Sequence, residues 1–307
     1  MIRSLLLLAT LVASAASAAV PYARRADVQA FVDEVSERHG IARNELLRQF
    51  ARVKPSPAVI KAIRPPTDPR VRSWSAYRAR FVEPTRIARG IAFYRQHGDA
   101  LSRAEAEFGV PAEIIVAIIG IETIYGQQSG HFHVFNALSN LAFDYPPRAE
   151  LFRHELEELL LLARDQGKDP WQYRGSYAGA MGMPQFLPSS IRRYAIDFDG
   201  NGRIELDRSI DDSIGSVASF LSQHGWQPGE PIMAPTDDGA QTIPVTGSAL
   251  IELATPDNTT EYRLGYNNFF VLTRYNRSSF YAAAVADLAL AVKQGMTAQS
   301  RASLSTP

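Results

Sequence analysis

The stretch from Pro111 to Gly126 limits what this chain can become more than any other. It runs Pro-Ala-Glu-Ile-Ile-Val-Ala-Ile-Ile-Gly-Ile-Glu-Thr-Ile-Tyr-Gly and reads as a helix: Pro111 suits a first turn and Gly126 supplies a stop. Ile114, Ile118, Ile121 and Tyr125 recur at three- and four-residue spacing, the mark of one buried stripe. No apolar run beyond the N-terminus is long enough to cross a bilayer, so protein has to cover that stripe. Glu122 comes four residues after Ile118 and eight after Ile114, which turns it towards the apolar side. A charged, unpaired carboxylate there costs several kcal/mol, so the group is biased towards its protonated form. That is the state a general acid needs. A structural glutamate, paired with an arginine or capping a neighbouring helix, fits the same pattern.

The rest of the chain supplies the cover. With 307 residues, 46% of them hydrophobic, it can form one large or two ordinary domains with small appendages. The formal net charge is zero, so no basic field points to nucleic acid and no acidic run suggests a tail-like partner. The N-terminus is a different case. Met1-Ile2-Arg3 is a short basic start, Leu5 to Val12 is an apolar core, and Ala16-Ser17-Ala18 offers a small-residue cleavage site. This pattern predicts export, with cleavage near Ala18 or Ala19. Cysteine is absent, which removes both a disulfide framework and a lipid-acceptor thiol. The expected mature protein is exported, soluble and free of a membrane anchor.

Taken in order, the chain predicts mostly helices. Val28, Phe31, Val32 and Val35 share one face between Asp27 and His39, and Gly40 ends that helix. A second helix passes through Leu46, Leu47 and Phe50, after which Pro55, Pro57, Pro65, Pro66 and Pro69 predict a rigid, extended connection. Helical segments are expected again over 87–108 and 151–163, and a Gly/His-rich loop over 126–133, where His131 and His133 read as loop residues, not metal ligands. Gly175 to Pro188, rich in Gly, Ala, Ser and Met, permits close backbone approach. Strands are expected at Ile243–Val245, Ala249–Leu253 and Phe269–Thr273. A last helix carries Tyr281, Val285, Leu288 and Val292 in register, and a polar tail starts at Met296. The predicted fold class is mainly α (α+β).

Two constellations carry chemistry. The first is Asp197-Phe198-Asp199-Gly200-Asn201-Gly202-Arg203-Ile204, with oxygen donors at positions one, three and five, glycine at six and an apolar residue at eight. This is the spacing of an EF-hand loop for the hard cation Ca²⁺, with the Arg203 carbonyl at position seven. Position twelve is Arg208, not glutamate, so the closing carboxylate has to be Asp211 or Asp212. The metal would clip the structure together. The second constellation joins Ile119-Gly120-Ile121-Glu122-Thr123 to Gly175-Ser176-Tyr177-Ala178-Gly179-Ala180-Met181-Gly182-Met183-Pro184-Gln185-Phe186-Leu187-Pro188-Ser189-Ser190, and both to Arg274-Tyr275-Asn276-Arg277-Ser278. No phosphate loop and no nucleophile elbow accompanies them.

Together these segments resemble the lytic murein transglycosylase B family (glycoside hydrolase family 103), over about Val28 to Ala289. The resemblance implies a lysozyme-like catalytic core that cuts the β-1,4 bond between N-acetylmuramic acid and N-acetylglucosamine in peptidoglycan. The muramoyl 6-hydroxyl attacks in place of water, leaving a 1,6-anhydro end. Glu122 matches the family's single catalytic carboxylate, acid first and base second, whereas ordinary glycosidases use two. By position in the motifs, Ser176, Gln185 and Asn276 are implied as polar substrate contacts, with Tyr77, Tyr275 and Tyr281 as aromatic ones. Plain core packing is the alternative for each aromatic.

The implied organisation is a signal peptide over 1–19, an N-terminal helical region over 20–105 and the catalytic core over 106–225, with its EF-hand-like loop at 197–212. A small β insertion covers 226–268, the chain returns to the core over 269–295, and 296–307 is a flexible tail. Expected partners are peptidoglycan glycan strands and cell-wall synthesis or turnover proteins, for a periplasmic monomer that needs no cofactor for its chemistry. A hydrolytic muramidase on the same scaffold and a non-catalytic peptidoglycan-binding protein are the competing functions.

Overall fold

Hydrophobic spacing of three and four residues folds most of this chain into helices. The computed structural model describes residues 20–65, 73–236, 246–255 and 260–304. The signal segment expected over 1–19, Pro66, Pro69 and the strand expected at Ile243–Val245 lie outside them. The chain divides into two compact units, residues 1–54 and 55–307. In the first, α1 (Ala26–His39) and α2 (Arg43–Phe50) form a pair. Val28, Phe31, Val32 and Val35 are buried on α1, and Phe31 meets Phe50 edge-on at 6.0 Å.

The second unit begins with a correction. The proline-rich connection is not wholly extended: Pro57 opens a helix, α3 (Pro57–Ile63), and Val59 is fully buried on it. A proline at the first helical position loses no hydrogen bond, so it starts the helix instead of breaking it. Next come α4 (Trp74–Phe81), α5 (Pro84–Gln96) and α6 (Gly98–Phe108). The single helical stretch expected over 87–108 is thus two helices, parted where His97 leaves helical geometry at φ −119° and ψ 26°.

Helix α7 (Ala112–Thr123) is the predicted acid helix, and its stripe is wider than the spacing suggests. Every residue but Glu113 and Glu122 is buried, because α5 and α6 cover it together with two later helices, Ile210–Gln223 and Ser279–Leu304. After α7, the short strand β1 (Phe132–His133) leads into α8 (Val134–Asp144) and α9 (Ala149–Asp165), which pack on each other. Strand β2 (Arg174–Gly175) pairs antiparallel with β1. Helices α10 (Pro188–Tyr194) and α11 (Ile210–Gln223) follow. Strands β3 (Met233–Pro235), β4 (Ala249–Leu253) and β5 (Glu261–Gly265) form an antiparallel sheet ordered β3–β5–β4.

The chain then returns through α12 (Asn267–Tyr275) and α13 (Ser279–Leu304). Helix α12 replaces the strand expected at Phe269–Thr273. A short apolar run does not by itself separate helix from strand, and here the buried Asn268 decides. Its Nδ2 donates to the carbonyls of Gln227 at 2.8 Å and Glu230 at 3.0 Å, and its Oδ1 accepts the Gln227 N–H at 2.8 Å, which anchors the first helical turn. Helix α13 continues past Met296, where the polar composition predicts a tail. That segment is polar but holds no proline or glycine before Leu304, so nothing in it breaks a helix.

A polar network joins the small sheet to the helices. Arg263 on β5 pairs with Asp287 on α13 at 2.6 Å and with Glu261, Arg78 on α4 meets the same Asp287 at 2.6 Å, and Trp74 Nε1 donates to Glu261 at 2.8 Å.

Close approach around α7 depends on two glycines. A Cβ on Gly120 would lie 2.5 Å from the Tyr125 hydroxyl, and one on Gly90 of α5 would also lie 2.5 Å from it. The tyrosine ring occupies the room these residues leave. Gly120→Ala is therefore expected to destabilise the protein by about 1–3 kcal/mol through overpacking, read as a lower midpoint in chemical denaturation. An unchanged midpoint would mean that Tyr125 moves freely out of the way.

Candidate active site

Helix α7 ends abruptly at its acid. Ile124, Tyr125 and Gly126 all adopt left-handed geometry, with φ of 52°, 58° and 85°, so the helix stops before the glycine that marks its end in the sequence. This conformation is costly for a β-branched residue such as Ile124 and needs support from its surroundings. The Tyr125 hydroxyl donates to the Arg86 carbonyl at 3.0 Å. Thr123 Oγ1 accepts the Gly126 N–H at 3.0 Å and donates to the Met183 carbonyl at 3.0 Å. Glu122 is left in the final turn, half-buried, with one side open to solvent.

Three tyrosines from separate elements gather at this carboxylate. The buried Tyr281 of α13 donates its hydroxyl to Glu122 Oε1 at 2.7 Å. Tyr275, at the end of α12, stacks on Tyr281 with centroids 6.2 Å apart and planes inclined by 14°. Tyr77 of α4 lies close enough to feel the charge, packed against Phe81 at 4.7 Å and Phe280 at 5.8 Å. Burial pushes the Glu122 carboxyl up to about 7, while the Tyr281 hydrogen bond pulls the other way. Burial, reinforced by the Glu122 charge, raises Tyr77 to about 12 and holds Tyr275 and Tyr281 well above the usual tyrosine value. All three phenols therefore keep their protons when Glu122 ionises.

The segment from Gly175 to Pro188 is fastened beside the acid. Pairing of β1 with β2 brings it next to the loop that follows α7, where a Cβ on Gly130 would meet the Gly175 carbonyl at 2.2 Å. Ser176 Oγ accepts the N–H groups of Ala178 at 3.3 Å and Ala180 at 3.1 Å, which leaves its own proton to donate outwards. Gln185 takes φ 52°, and its Nε2 donates to Ser129 at 3.1 Å and to Gly182 at 3.0 Å, leaving the amide oxygen to accept. The Tyr275 hydroxyl donates to the Pro184 carbonyl at 2.6 Å. Asn276 is exposed directly after Tyr275, and its Oδ1 accepts the Ser278 N–H at 3.2 Å. His133 Nδ1 sits 2.9 Å from the Trp171 carbonyl.

The structure thus brings Glu122, Tyr77, Tyr275 and Tyr281 together directly, and ties Gln185's segment to them through Thr123 and Tyr275. Ser176 and Asn276 hold turns. Thr123 was not among the sequence candidates, although it stands next to the acid in the quoted motif; a hydroxyl in the last helical turn was the available signal.

The acidic loop shows the fit that an oxygen-seeking cation needs. Carboxylate oxygens of Asp197, Asp199 and Asp212 lie within 4.8 Å of one another. Asp197 and Asp199 accept loop N–H groups, and Asn201 Oδ1 accepts the Arg203 N–H at 2.9 Å, so the chain wraps inward around these donors. The wholly buried Asp212 accepts N–H groups from Phe198 and Glu205, each at 2.8 Å. Asp211 turns elsewhere and pairs with Arg103 at 3.1 Å. Of the two carboxylates left open by the sequence, Asp212 joins the cluster. The Arg203 side chain is exposed.

Known proteins share this fold. The family profile of the transglycosylase SLT domain matches residues 23–240 and 235–290. The chain is 37% identical to the membrane-bound lytic murein transglycosylase B of Escherichia coli (strain K12) over 304 residues, 88% of this chain and 84% of that protein. The crystal structure of the soluble lytic transglycosylase SltB1 from Pseudomonas aeruginosa matches with a TM-score of 0.80 at 43% identity, over 88% of this chain and 99% of that one. The Escherichia coli lytic transglycosylase SLT35 in complex with calcium matches with a TM-score of 0.77 at 36% identity, over 90% and 94%.

The Glu122 environment also fixes a pH dependence of stability. Its pKa rises from an ordinary 4.5 to about 7 on folding, so its contribution is complete below 4.5 and is lost as the pH climbs through 7. At about 1.4 kcal/mol per unit, the ionised acid leaves the fold ~3 kcal/mol less stable by pH 8. Glu122→Gln, which cannot ionise, is expected to melt above the wild type at pH 8 and together with it at pH 4.5. Equal melting curves at both values would show that Glu122 titrates normally.

Proposed function

The chain belongs to the transglycosylase SLT domain family and is a peptidoglycan lytic transglycosylase, and from that premise we propose that Glu122 serves as both its acid and its base. The observation that carries this reading is a half-buried carboxyl with a pKa of about 7, hydrogen-bonded to a phenol at 2.7 Å. In the first step the protonated Glu122 gives its proton to the glycosidic oxygen as the bond from that oxygen to the muramoyl C1 breaks. In the second, the muramoyl 6-hydroxyl attacks C1 and its proton passes to the Glu122 carboxylate. The acid is regenerated, no water is consumed, and the sugar leaves as a 1,6-anhydro end. A pKa near neutrality suits a group that must give and take a proton in the same cycle.

Tyr281 acts through the acid: its hydrogen bond favours the carboxylate and limits how far burial raises the pKa. Tyr77 and Tyr275 offer ring faces to sugar, while the Ser176 hydroxyl, the Gln185 amide oxygen and the Asn276 amide nitrogen remain available for N-acetyl and hydroxyl groups. We place the chain in glycoside hydrolase family 103, as a soluble periplasmic monomer acting on glycan strands, with residues 1–19 as its cleaved signal peptide and 106–225 with 269–295 as its catalytic core. Cell-wall synthesis or turnover proteins are its candidate partners. The acidic loop binds structural Ca²⁺ through Asp197, Asp199, Asn201, the Arg203 carbonyl and Asp212; the three convergent carboxylates and the calcium complex of the Escherichia coli relative support this.

Mass spectrometry of digested peptidoglycan is expected to give 1,6-anhydromuramoyl products, and Glu122→Gln to lose activity by about 10³-fold. Reducing ends in their place would make the enzyme a hydrolytic muramidase, and a fully active Glu122→Gln would remove this mechanism. Calcium in large excess over its Kd is expected to stabilise the fold by about 2–3 kcal/mol over a chelator-treated sample. Asp212→Asn should abolish most of that difference. A melting temperature indifferent to millimolar calcium would exclude a loaded site.

A further inference from the structure

The residue directly after the acid is tied to more than its own helix. Thr123 is wholly buried, and its hydroxyl has a single proton to give. It accepts the Gly126 N–H at 3.0 Å, and two carbonyls compete for its proton: Ile119, one turn back, at 3.3 Å, and Met183 at 3.0 Å. Bonding to the carbonyl four residues back is what a threonine within a helix ordinarily does. Here the shorter contact runs across to a segment sixty residues further on.

Met183 stands in a turn that is closed upon itself. Met181 and Phe186 exchange backbone hydrogen bonds at 2.8 and 3.0 Å, and the Gln185 N–H donates to the Gly182 carbonyl at 3.2 Å. The Gln185 side chain ties back to the same carbonyl at 3.0 Å. Around this turn, Met183 donates its N–H to the Leu206 carbonyl at 2.8 Å, Pro184 accepts the Tyr275 hydroxyl at 2.6 Å, and Gln185 reaches the Ser129 carbonyl at 3.1 Å. Of these anchors and the Thr123 bond, only Thr123 belongs to the helix that carries Glu122.

We propose that Thr123 is a positioning residue for the reaction: its hydroxyl fixes the Gln185 turn against the helix of Glu122, and so sets where the Gln185 amide oxygen meets the sugar that Glu122 protonates. This rests on the roles given above to Glu122 and Gln185. A turn with its own internal hydrogen bonds swings as a body when one anchor is removed, and a displacement of about 1 Å near the reacting atoms can cost about 10²-fold in rate. Thr123 touches no substrate in this scheme and acts only through Met183.

Thr123→Val keeps the branched shape and removes the hydroxyl. Anhydro-end release from soluble glycan strands is expected to fall about 10²-fold in kcat, with KM changed by less than about threefold. Thr123→Ser should recover all but a few-fold of the loss, and Thr123→Cys, a weak donor, should fall between; cysteine also serves if the valine variant does not fold. The alkaline limb of the activity profile, near pH 7, should stay in place, because Tyr281 still donates to the acid. In a Gln185→Ala background Thr123→Val should cost little more, since a side chain already removed cannot be misplaced. Additive losses, a limb shifted towards the ordinary carboxyl range, a serine variant as poor as valine, or a folded valine variant as active as the wild type would each overturn the proposal. A fully active Glu122→Gln would instead bring down the reading on which it rests.

Discussion

The hydrogen bond from Tyr281 to Glu122 is the interaction on which the site depends. A carboxylate at the end of a helix buried on nearly every side faces two bad outcomes. Left unpartnered, it would stay protonated and could not act as a base; paired with a cation, it would ionise and could not act as an acid. A phenol is neutral and donates one proton, so it offsets part of the burial penalty without fixing the charge. The buried tyrosine also keeps its own proton throughout, because the nearby acid raises its pKa further. Helix α13 therefore brings a donor to the acid from the inward stripe that also packs it.

Geometry follows from the same requirement. The acid has to stop its helix, since another turn would cover it. Three successive left-handed residues make that stop, and neighbouring structure stabilises them: Tyr125 lodges against Gly90 and Gly120, and Thr123 links the turn to Met183. Fastening the Met183 segment to the acid's own turn means that the acid and this segment cannot drift apart independently.

Much of this was legible in the sequence, unevenly. Glu122 stood out because a carboxylate within an apolar spacing is costly unless it has a use. The acidic loop stood out because its donors recur at fixed intervals. What escaped was whatever depends on a distant partner. Phe269–Thr273 has strand-like composition, and only the hydrogen bonds of Asn268 to residues 227 and 230 make it helical. The choice between Asp211 and Asp212 turned on Arg103, more than a hundred residues upstream. Tyr281 lay on the inward stripe of its helix, and the stripe could not say that its hydroxyl ends on Glu122. Ser176 and Asn276 were singled out by motif alone, with no hint that the side-chain oxygen of each would accept N–H groups of a turn.

The network of Trp74, Glu261, Arg263, Asp287 and Arg78 casts the small sheet in another light. Strand β5 holds α4 through Trp74 and α13 through Asp287, and these helices carry Tyr77 and Tyr281. The insertion, which could be taken for decoration on a helical core, is thus a gauge block: it sets the separation of two aromatic walls that the chain supplies some two hundred residues apart. Exchange of this sheet between relatives would then alter the spacing of the two tyrosines around Glu122 without touching either of them.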